Sequence, residues 1–324
     1  GAVLVAVGLL YRRLVQVERL GRVLLLIVLG AIGWTVATAV WHGHWGRVVA
    51  FPTGAFRPTR AFWGGLGSAM LVATYDFWGY YNVTFLGGEV RDPEKTIPRA
   101  LLLSIGIVAG LYLLLNASVL ALVGAPRMML MQGQPALLTA VMQPAYAPTL
   151  GATGAMWLGR LAAVLVMITA FASVFSLLLG YSRIPFAAAR DGNFFRAFGR
   201  LHPRLGFPHV SLLVLAGVAC VFCCFDLKDV IAALVVLRVM LQFGLQQIGV
   251  MWLRWRRPEM PRPFRMWLYP LPPLLALLGF GFLVVSRPGF GRELLLSAVV
   301  AMLGSAAFFW WERRQPASES LPPA

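Results

Sequence analysis

Thr74-Tyr75-Asp76-Phe77-Trp78-Gly79-Tyr80-Tyr81-Asn82 occupies the middle of an apolar run, Ala61–Leu86, whose single charged residue is Asp76. The limits of that run, roughly Trp63 to Glu89, have their midpoint at residue 76. If the run crosses a bilayer, the aspartate lies at the hydrocarbon midplane, where a charge costs about 3 kcal/mol or more and therefore faces a cavity or a partner. Gly79 weakens a helix at the same depth, and unwound backbone is tolerated there only where it lines a cavity. A break of this kind makes a binding site. The carbonyl end of the first half-helix attracts a cation and the amide end of the second attracts an anion. An amino acid zwitterion carries one of each. The alternative reading is an intact helix in which Asp76 is buried and paired for structural reasons.

Seven further runs of similar character flank this one. They are Val23–Trp41, Ala100–Val123, Leu161–Leu179, Val210–Phe225, Val230–Leu253 (interrupted by Arg238), Met266–Val285 and Leu294–Trp311. Spanning a bilayer takes about 20 residues of helix, and none of the runs alternates as a barrel strand does. The expected fold class is therefore all-α: a polytopic transmembrane helical bundle of about eight spans. Composition points the same way. Of 324 residues 59% are hydrophobic and 12% charged, about half the charge share of a soluble domain. A soluble fold would lack the charge to cover its surface, and a disordered chain would lack the low hydrophobicity that disorder requires.

The net charge of +16 arises from 28 Lys+Arg against 12 Asp+Glu. Such an excess on a soluble protein would suggest a nucleic-acid partner, but here the cations occupy short loops between apolar runs. With the loop after Leu10 placed in the cytoplasm and sides alternating thereafter, nineteen Lys and Arg fall inside and seven outside, and Arg160 and Arg238 lie within spans. That asymmetry obeys the positive-inside rule. It places the C-terminus in the cytoplasm, with Trp310 and Trp311 as anchors at that boundary, and excludes nucleic acid as a partner. The expected location is a plasma (inner) membrane. The opening decapeptide Gly1–Leu10 is too short to span and is followed, not preceded, by Arg12 and Arg13, the wrong order for a signal peptide. It reads as the end of a truncated helix. Residues 1–315 are expected to form a single transmembrane domain, with 1–12 the remnant of a preceding helix and the Pro/Ser-rich 316–324 a disordered cytoplasmic tail. Gly124–Gly154, broken by Pro135, Pro144 and Pro148, reads as a long external connection with room for a short helix on the outer face.

Other polar residues within the spans are few. Arg238, Gln242 and Gln246 recur every four residues, which on a helix makes one polar stripe. Arg238 matches Asp76 in depth, so an Asp76–Arg238 pair is one expectation; capture of Arg238 by helix carbonyls and Gln side chains is the other. Thr169, Ser173, Ser176 and Gly180 recur as a small-residue face, the usual signature of close helix packing. Cys220, Cys223 and Cys224 share one apolar segment and read as small hydrophobes rather than disulfide or zinc ligands. His42-Gly43-His44 offers two imidazoles at a helix end, where an interfacial role fits better than a metal. Gly64-Gly65-Leu66-Gly67-Ser68 lacks the preceding strand of a phosphate loop, and no Gly-x-Ser-x-Gly or His-Glu-x-x-His motif occurs. No cofactor or metal is implied, and no catalytic dyad beyond Asp76 itself presents an enzyme.

The loop after the central run, Glu89-Val90-Arg91-Asp92-Pro93-Glu94-Lys95-Thr96-Ile97-Pro98-Arg99-Ala100, reads physically as a charged turn. Pro98 suits a first helical position, with Thr96 or a neighbour as cap. Its pattern, E-V-x-(N/D)-P-x-x-T-I-P-(R/K)-A after an aromatic, glycine-bearing helix, resembles the amino acid–polyamine–organocation (APC) permeases. A second stretch agrees with that family's loop between its eighth and ninth helices: Ser182-Arg183-Ile184-Pro185-Phe186-Ala187-Ala188-Ala189-Arg190-Asp191-Gly192-Asn193-Phe194-Phe195, then His202-Pro203-Arg204 and Pro208. The two motifs stand in the family's order, about 90 residues apart, and the resemblance covers nearly the whole chain.

The resemblance implies a partial leucine-transporter-like fold. In the family two inverted five-helix repeats precede two extra helices; the first residues here resemble the end of helix 4 and the eight runs resemble helices 5 to 12. Helices 1 to 3 have no counterpart, so the chain is expected to be part of a longer permease. The function implied is secondary transport of amino acids or related amines and polyamines by alternating access, not enzymatic catalysis. The substrate site would be lined by Tyr75, Asp76, Phe77, Trp78, Gly79, Tyr80 and Asn82, with Arg238 beside them. Backbone groups there would bind the head groups, Tyr75, Phe77 and Trp78 would gate or pack on the side chain, and Asp76 would favour a cationic group. The charged loops Glu89–Arg99 and Arg183–Arg204 would act as inner hinges. A coupling ion, proton or sodium, is a possible further partner: hydroxyls of Thr169 and Ser173 stand where sodium-coupled relatives of the fold place theirs. The lysine that some proton-coupled members carry on helix 5 is absent from Val23–Trp41, which offers Thr35 and Thr38. Two other readings are a membrane-embedded enzyme or sensor using Asp76 and Arg238, and an inactive fragment of a permease.

Overall fold

The computed structural model describes residues 1–11, 14–130, 137–224, 238–262, 264–286 and 290–312. Every regular element among them is helical. In chain order the α-helices are α1 (Ala2–Leu10), α2 (Leu14–His42), α3 (Arg60–Asp76), α4 (Pro93–Val123), α5 (Ala125–Leu130), α6 (Leu137–Tyr181), α7 (Arg183–Arg190), α8 (His209–Phe222), α9 (Leu245–Arg256), α10 (Leu271–Val285) and α11 (Phe290–Glu312). Three 3₁₀ segments, Trp45–Val48, Tyr80–Glu89 and Arg196–Gly199, and a π-helical segment, Arg238–Gly244, stand between them.

Among the described residues three helical stretches are long and apolar enough to cross a membrane: Gln16–His42, Pro93–Val123 and Leu138–Arg190, with mean hydropathies of 2.4, 2.2 and 2.5. His209–Phe222, Leu271–Val285 and Ser297–Trp310 are shorter apolar helices. Large apolar side chains such as Leu26, Leu103, Leu113 and Leu278 point outward, each more than half exposed. An all-helical chain that is apolar on its outside is a membrane protein, because only lipid solvates such a surface favourably. The chain is an all-α, multi-pass membrane protein.

Contacts divide the chain into two compact units. The first comprises Gly1–Thr53, Leu101–Phe186 and Ala197–Ala216; the second comprises Gly54–Ala100, Ala187–Arg196 and Gly217–Ala324.

In the first unit α1 and α2 pack on α6. Ala6, Leu10, Val17 and Leu24 meet Phe175 and Leu178 in one core, with Phe207, Leu212 and Ala216 completing it. Helix α6 is folded, not straight. Its backbone breaks at Gly151 (φ 68°, ψ 177°) after Pro144 and Pro148, two residues that each remove a helical hydrogen bond. Thr139 Oγ1 donates to the Gly159 carbonyl at 3.0 Å, whereas a straight helix would separate twenty residues by about 30 Å. The stretch expected as a long external connection with room for a short helix is largely helical among its described residues, and its C-terminal part doubles back on the span that follows. Tyr146 ties this arm to α2: its hydroxyl accepts from Trp34 Nε1 at 3.1 Å and lies 2.8 Å from Thr38 Oγ1.

The second unit is built on α3, the π-helical segment, α9 and α10. Thr59 caps α3 by accepting from the Phe62 N–H at 3.2 Å. The helix then packs so closely on α10 that a Cβ at Gly67 would stand 2.5 Å from Ser286 Cβ. Trp63 meets Phe282 edge-on at 6.2 Å. Val239 and Val284 form a small core with Leu71, Trp78 and Phe280.

Helix α4 begins at Pro93, five residues before the start expected at Pro98. The Asp92 carbonyl accepts the N–H groups of Lys95 and Thr96 at 3.1 and 3.0 Å, and Thr96 Oγ1 donates to the Arg91 carbonyl at 2.9 Å. Pro93 needs no partner at a first helical position, and Glu94 in the first turn complements the helix dipole. Two prolines five apart compete for the same role, and the cap at Asp92 selects the earlier one.

Candidate functional site

Helix α3 ends at Asp76. Phe77 retains right-handed dihedrals, Gly79 turns to φ 110°, ψ −15°, and the chain continues from Tyr80 as a 3₁₀ helix. A side chain in that left-handed region costs about 1–2 kcal/mol, which glycine avoids. The apolar run is therefore interrupted at the aromatic cluster, with the carbonyl end of α3 facing the break. Two hydrogen bonds hold the turn: Trp78 N–H to the Tyr75 carbonyl at 3.0 Å and Asn82 N–H to the Gly79 carbonyl at 2.9 Å.

A pocket of about 330 Å³ adjoins the break within the second unit. Met70, Ala73, Phe77, Trp78, Phe243 and Phe280 form its apolar wall, and Thr74 and Tyr80 add two hydroxyls. The Thr74 hydroxyl is committed to the Met70 carbonyl at 2.8 Å. Tyr75 packs on Trp78 with centroids 5.3 Å apart; Trp78 and Tyr81 both pack on Phe243, at 6.3 and 5.7 Å. Of the residues expected at a substrate site, Phe77, Trp78 and Tyr80 line this pocket, and Tyr75 touches it through Trp78. Asp76 is exposed at the end of α3, outside the described lining.

Two buried polar atoms here have no hydrogen-bond partner among the described residues: Trp78 Nε1, a donor, and Asn82 Oδ1, an acceptor. Leaving such a group unsatisfied costs about 1–3 kcal/mol, so native proteins keep few, and each calls for a reason.

Arg238 enters the same neighbourhood from the π-helical segment. It donates to the Tyr81 hydroxyl, and its guanidinium lies 5.0 Å over the Trp78 ring. The period-four stripe Arg238–Gln242–Gln246 does not stay on one face. Gln242 is half-buried and Gln246 exposed, while Val239 (1% exposed) and Phe243 (5%) form the buried side. The π turn from Arg238 to Gly244 spaces its hydrogen bonds five residues apart, so a four-residue repeat drifts around it. π turns concentrate at functional sites, and nothing in the periodicity of side-chain types signalled this one.

Thr169 and Ser173 belong to the first unit, on α6. Each hydroxyl bonds its own helix, Thr169 to the Leu165 carbonyl at 2.9 Å and Ser173 to the Thr169 carbonyl at 3.2 Å. Ser173 is exposed; Thr169 lines a second, larger cavity of about 620 Å³ together with Ile32, Thr35, Tyr112, Val119 and Thr139. Thr35 and Thr38 are 1% exposed and back-bond to the Ala31 and Trp34 carbonyls. No sequence feature pointed to this cavity, because each of its walls is an ordinary apolar helix face.

Comparison with known proteins agrees with the loop motifs. The amino acid permease family matches residues 20–310. The chain is 34% identical over 178 residues to an uncharacterized transporter of Mycobacterium tuberculosis, covering 53% of this chain and 38% of that protein. It is 28% identical over 303 residues to Asc-type amino acid transporter 1 of Mus musculus (90% and 52%). To the serine/threonine exchanger SteT of Bacillus subtilis it is 23% identical over 258 residues (77% and 55%). The chain spans about half the length of the curated relatives it matches. With a family match across nine-tenths of its residues, both loop motifs in place and an all-helical apolar architecture, this chain belongs to the amino acid permease family.

Proposed function

We propose that this chain forms the core of a secondary transporter that moves amino acids or related amines across a plasma membrane by alternating access. The break in α3 is its substrate site, and residues 1–315 belong to one permease domain. The observation that carries the reading is the interruption at Phe77–Gly79 beside a pocket, with a donor on Trp78 and an acceptor on Asn82 unsatisfied among the described residues. A zwitterion supplies what these groups need. Its ammonium is drawn to the α3 carbonyl end and to Asp76, where helix dipole and carboxylate add. Its carboxylate accepts from N–H donors at the turn. Tyr75, Phe77 and Trp78 pack on the rest of the substrate, and Tyr80 and Asn82 complete the rim.

Arg238 holds the segment through Tyr81 and Trp78, and pairing with Asp76 in part of the cycle would exchange one partner for another. Thr169 and Ser173 are the candidates for a coupling sodium ion; proton coupling would need another group. The names of the relatives, an Asc-type amino acid transporter and a serine/threonine exchanger, support a small-molecule amino acid substrate.

The test is substrate binding and uptake by the permease carrying Asp76→Asn or Tyr75→Ala. Loss of a charged hydrogen bond to the ammonium predicts a drop in affinity of about tenfold or more for Asp76→Asn. Affinity unchanged for every amino acid and polyamine in both variants would remove this site.

A further inference from the structure

We propose that the end of α9 and its connection to α10 form a docking site for anionic phospholipids of the leaflet they face, with Arg256, Arg257 and Arg265 meeting the phosphates.

The charge is concentrated here. From Arg254 to Pro270 the seventeen residues hold five arginines against a single acid, Glu259. A cluster of four to eight cations directly beside a membrane helix is the pattern that anionic headgroups select.

The structure divides these arginines by task. Arg262 folds the connection back on the end of α9: its guanidinium donates to the carbonyls of Pro258 and Met260, both at 2.9 Å, of Arg257 at 2.8 Å and of Leu253 at 3.4 Å. Arg254 lies over the Tyr269 ring, 4.1 Å from its centroid, and so joins the start of the connection to its end. Cations near a helix C-terminus ordinarily serve its open carbonyls. Arg262 already does so here, which leaves Arg256, Arg257 and Arg265 without that duty. All three are exposed, and none has an ion-pair partner among the described residues.

Apolar side chains stand among them. Trp255 is 78% exposed, Trp267 73% and Leu268 77%, and Phe264 pairs with Trp267 at 6.5 Å between ring centroids. A basic, aromatic surface on a soluble protein would suit nucleic acid. This one is continuous with the apolar outside of α10, where Leu271, Leu275 and Leu278 are exposed, so it lies where a bilayer ends. Tryptophan favours that depth, its ring among the upper methylenes and its N–H among the headgroups, and arginines beside it reach the phosphate level. The occupant that matches both halves is a lipid with an anionic headgroup.

Such a lipid would hold two elements at once. Helix α9 continues directly from the π-helical segment, and α10 packs on that segment, on α9 and on α3. A ligand of the folded connection alone raises the stability of the fold by mass action.

The experiment titrates the purified permease, in a neutral detergent, with dioleoylphosphatidylglycerol, dioleoylphosphatidylcholine or glycerol 3-phosphate. Melting temperature and lipid retention by native mass spectrometry are the readouts. Phosphatidylglycerol is expected to raise the melting temperature and to be retained at concentrations where the other two do neither. Each arginine beside an anionic surface contributes about fivefold in affinity. Arg256→Gln, Arg257→Gln and Arg265→Gln combined should therefore weaken phosphatidylglycerol binding about a hundredfold. Arg91→Gln, Lys95→Gln and Arg99→Gln combined, the same charge removed from another exposed turn, should change it less than about threefold. Raising salt from ~0.1 to ~1 M shortens the screening length from about 10 to about 3 Å and should weaken wild-type binding without any substitution. Equal retention of phosphatidylglycerol and phosphatidylcholine overturns the proposal, as does a second triple variant as damaging as the first. An equal melting shift with glycerol 3-phosphate also overturns it, since the site would then take soluble phosphate. The pocket beside the break is tested separately and stands or falls on its own.

Discussion

Gly79 is the residue on which the interruption turns. At φ 110° it holds a conformation that an L side chain enters only at a cost of about 1–2 kcal/mol, and a Cβ there would meet only Asn82 Nδ2, at 3.6 Å. The obstacle to substitution is therefore backbone strain rather than crowding. Gly79→Ala is expected to lower thermal stability in detergent by about 1–2 kcal/mol, whereas Gly88→Ala, at negative φ and in open space, is expected to have little effect. Equal melting temperatures for wild type and Gly79→Ala would show that the turn relaxes into a helical form. The sequence alone made part of this site legible. An aspartate at the middle of an apolar run and a glycine three residues on announce a break by cost alone. The surroundings of Arg238 were less legible: matching depth nominated Asp76, and packing of the π turn adds the Tyr81 hydroxyl and the Trp78 face, which depth alone does not supply.

Among the elements, the α3–α10 contact depends on a missing side chain. With Ser286 Cβ 2.5 Å from the position a Gly67 Cβ would take, Gly67→Ala forces the two helices apart. Overpacking of this kind costs about 1–3 kcal/mol, and membrane helices rely on small residues for close approach. The variant should unfold at lower denaturant or temperature than wild type, while Gly64→Ala on the same helix, with nothing within 4 Å, should not. Identical unfolding of the two would mean that α3 and α10 do not pack as described. Glycines were visible in the sequence as helix-weakening letters; which of them marks a contact was not, because the neighbour lies more than two hundred residues away. The same limit applies to α6, where Pro144 and Pro148 announced a break but not that the chain doubles back to bond Thr139 to Gly159.

For the whole molecule, we propose from the distribution of Lys and Arg an orientation that can be tested directly. In a background with Cys220, Cys223 and Cys224, all free and exposed, replaced by Ser, Thr53→Cys should react with a membrane-impermeant maleimide on intact cells. Asp191→Cys should react only after permeabilisation. The reverse pattern would invert the proposed orientation, with the C-terminus outside. Loop charges carry this information because translocation acts on short local segments, so it needs no tertiary structure to be read.

Class and family followed from the chain alone, since lipid dictates a helical, apolar chain and the loop motifs are read locally. The interruption at Gly79 was also foreshadowed locally, by a midplane acid and a residue without a side chain. The pocket beside it, the Trp78 and Asn82 atoms left unsatisfied among the described residues, the π turn at Arg238 and the folded-back arm of α6 emerged only with the tertiary structure. Each depends on which distant side chains share a space, and an apolar helix face looks the same in sequence whether it meets lipid, a cavity or another helix.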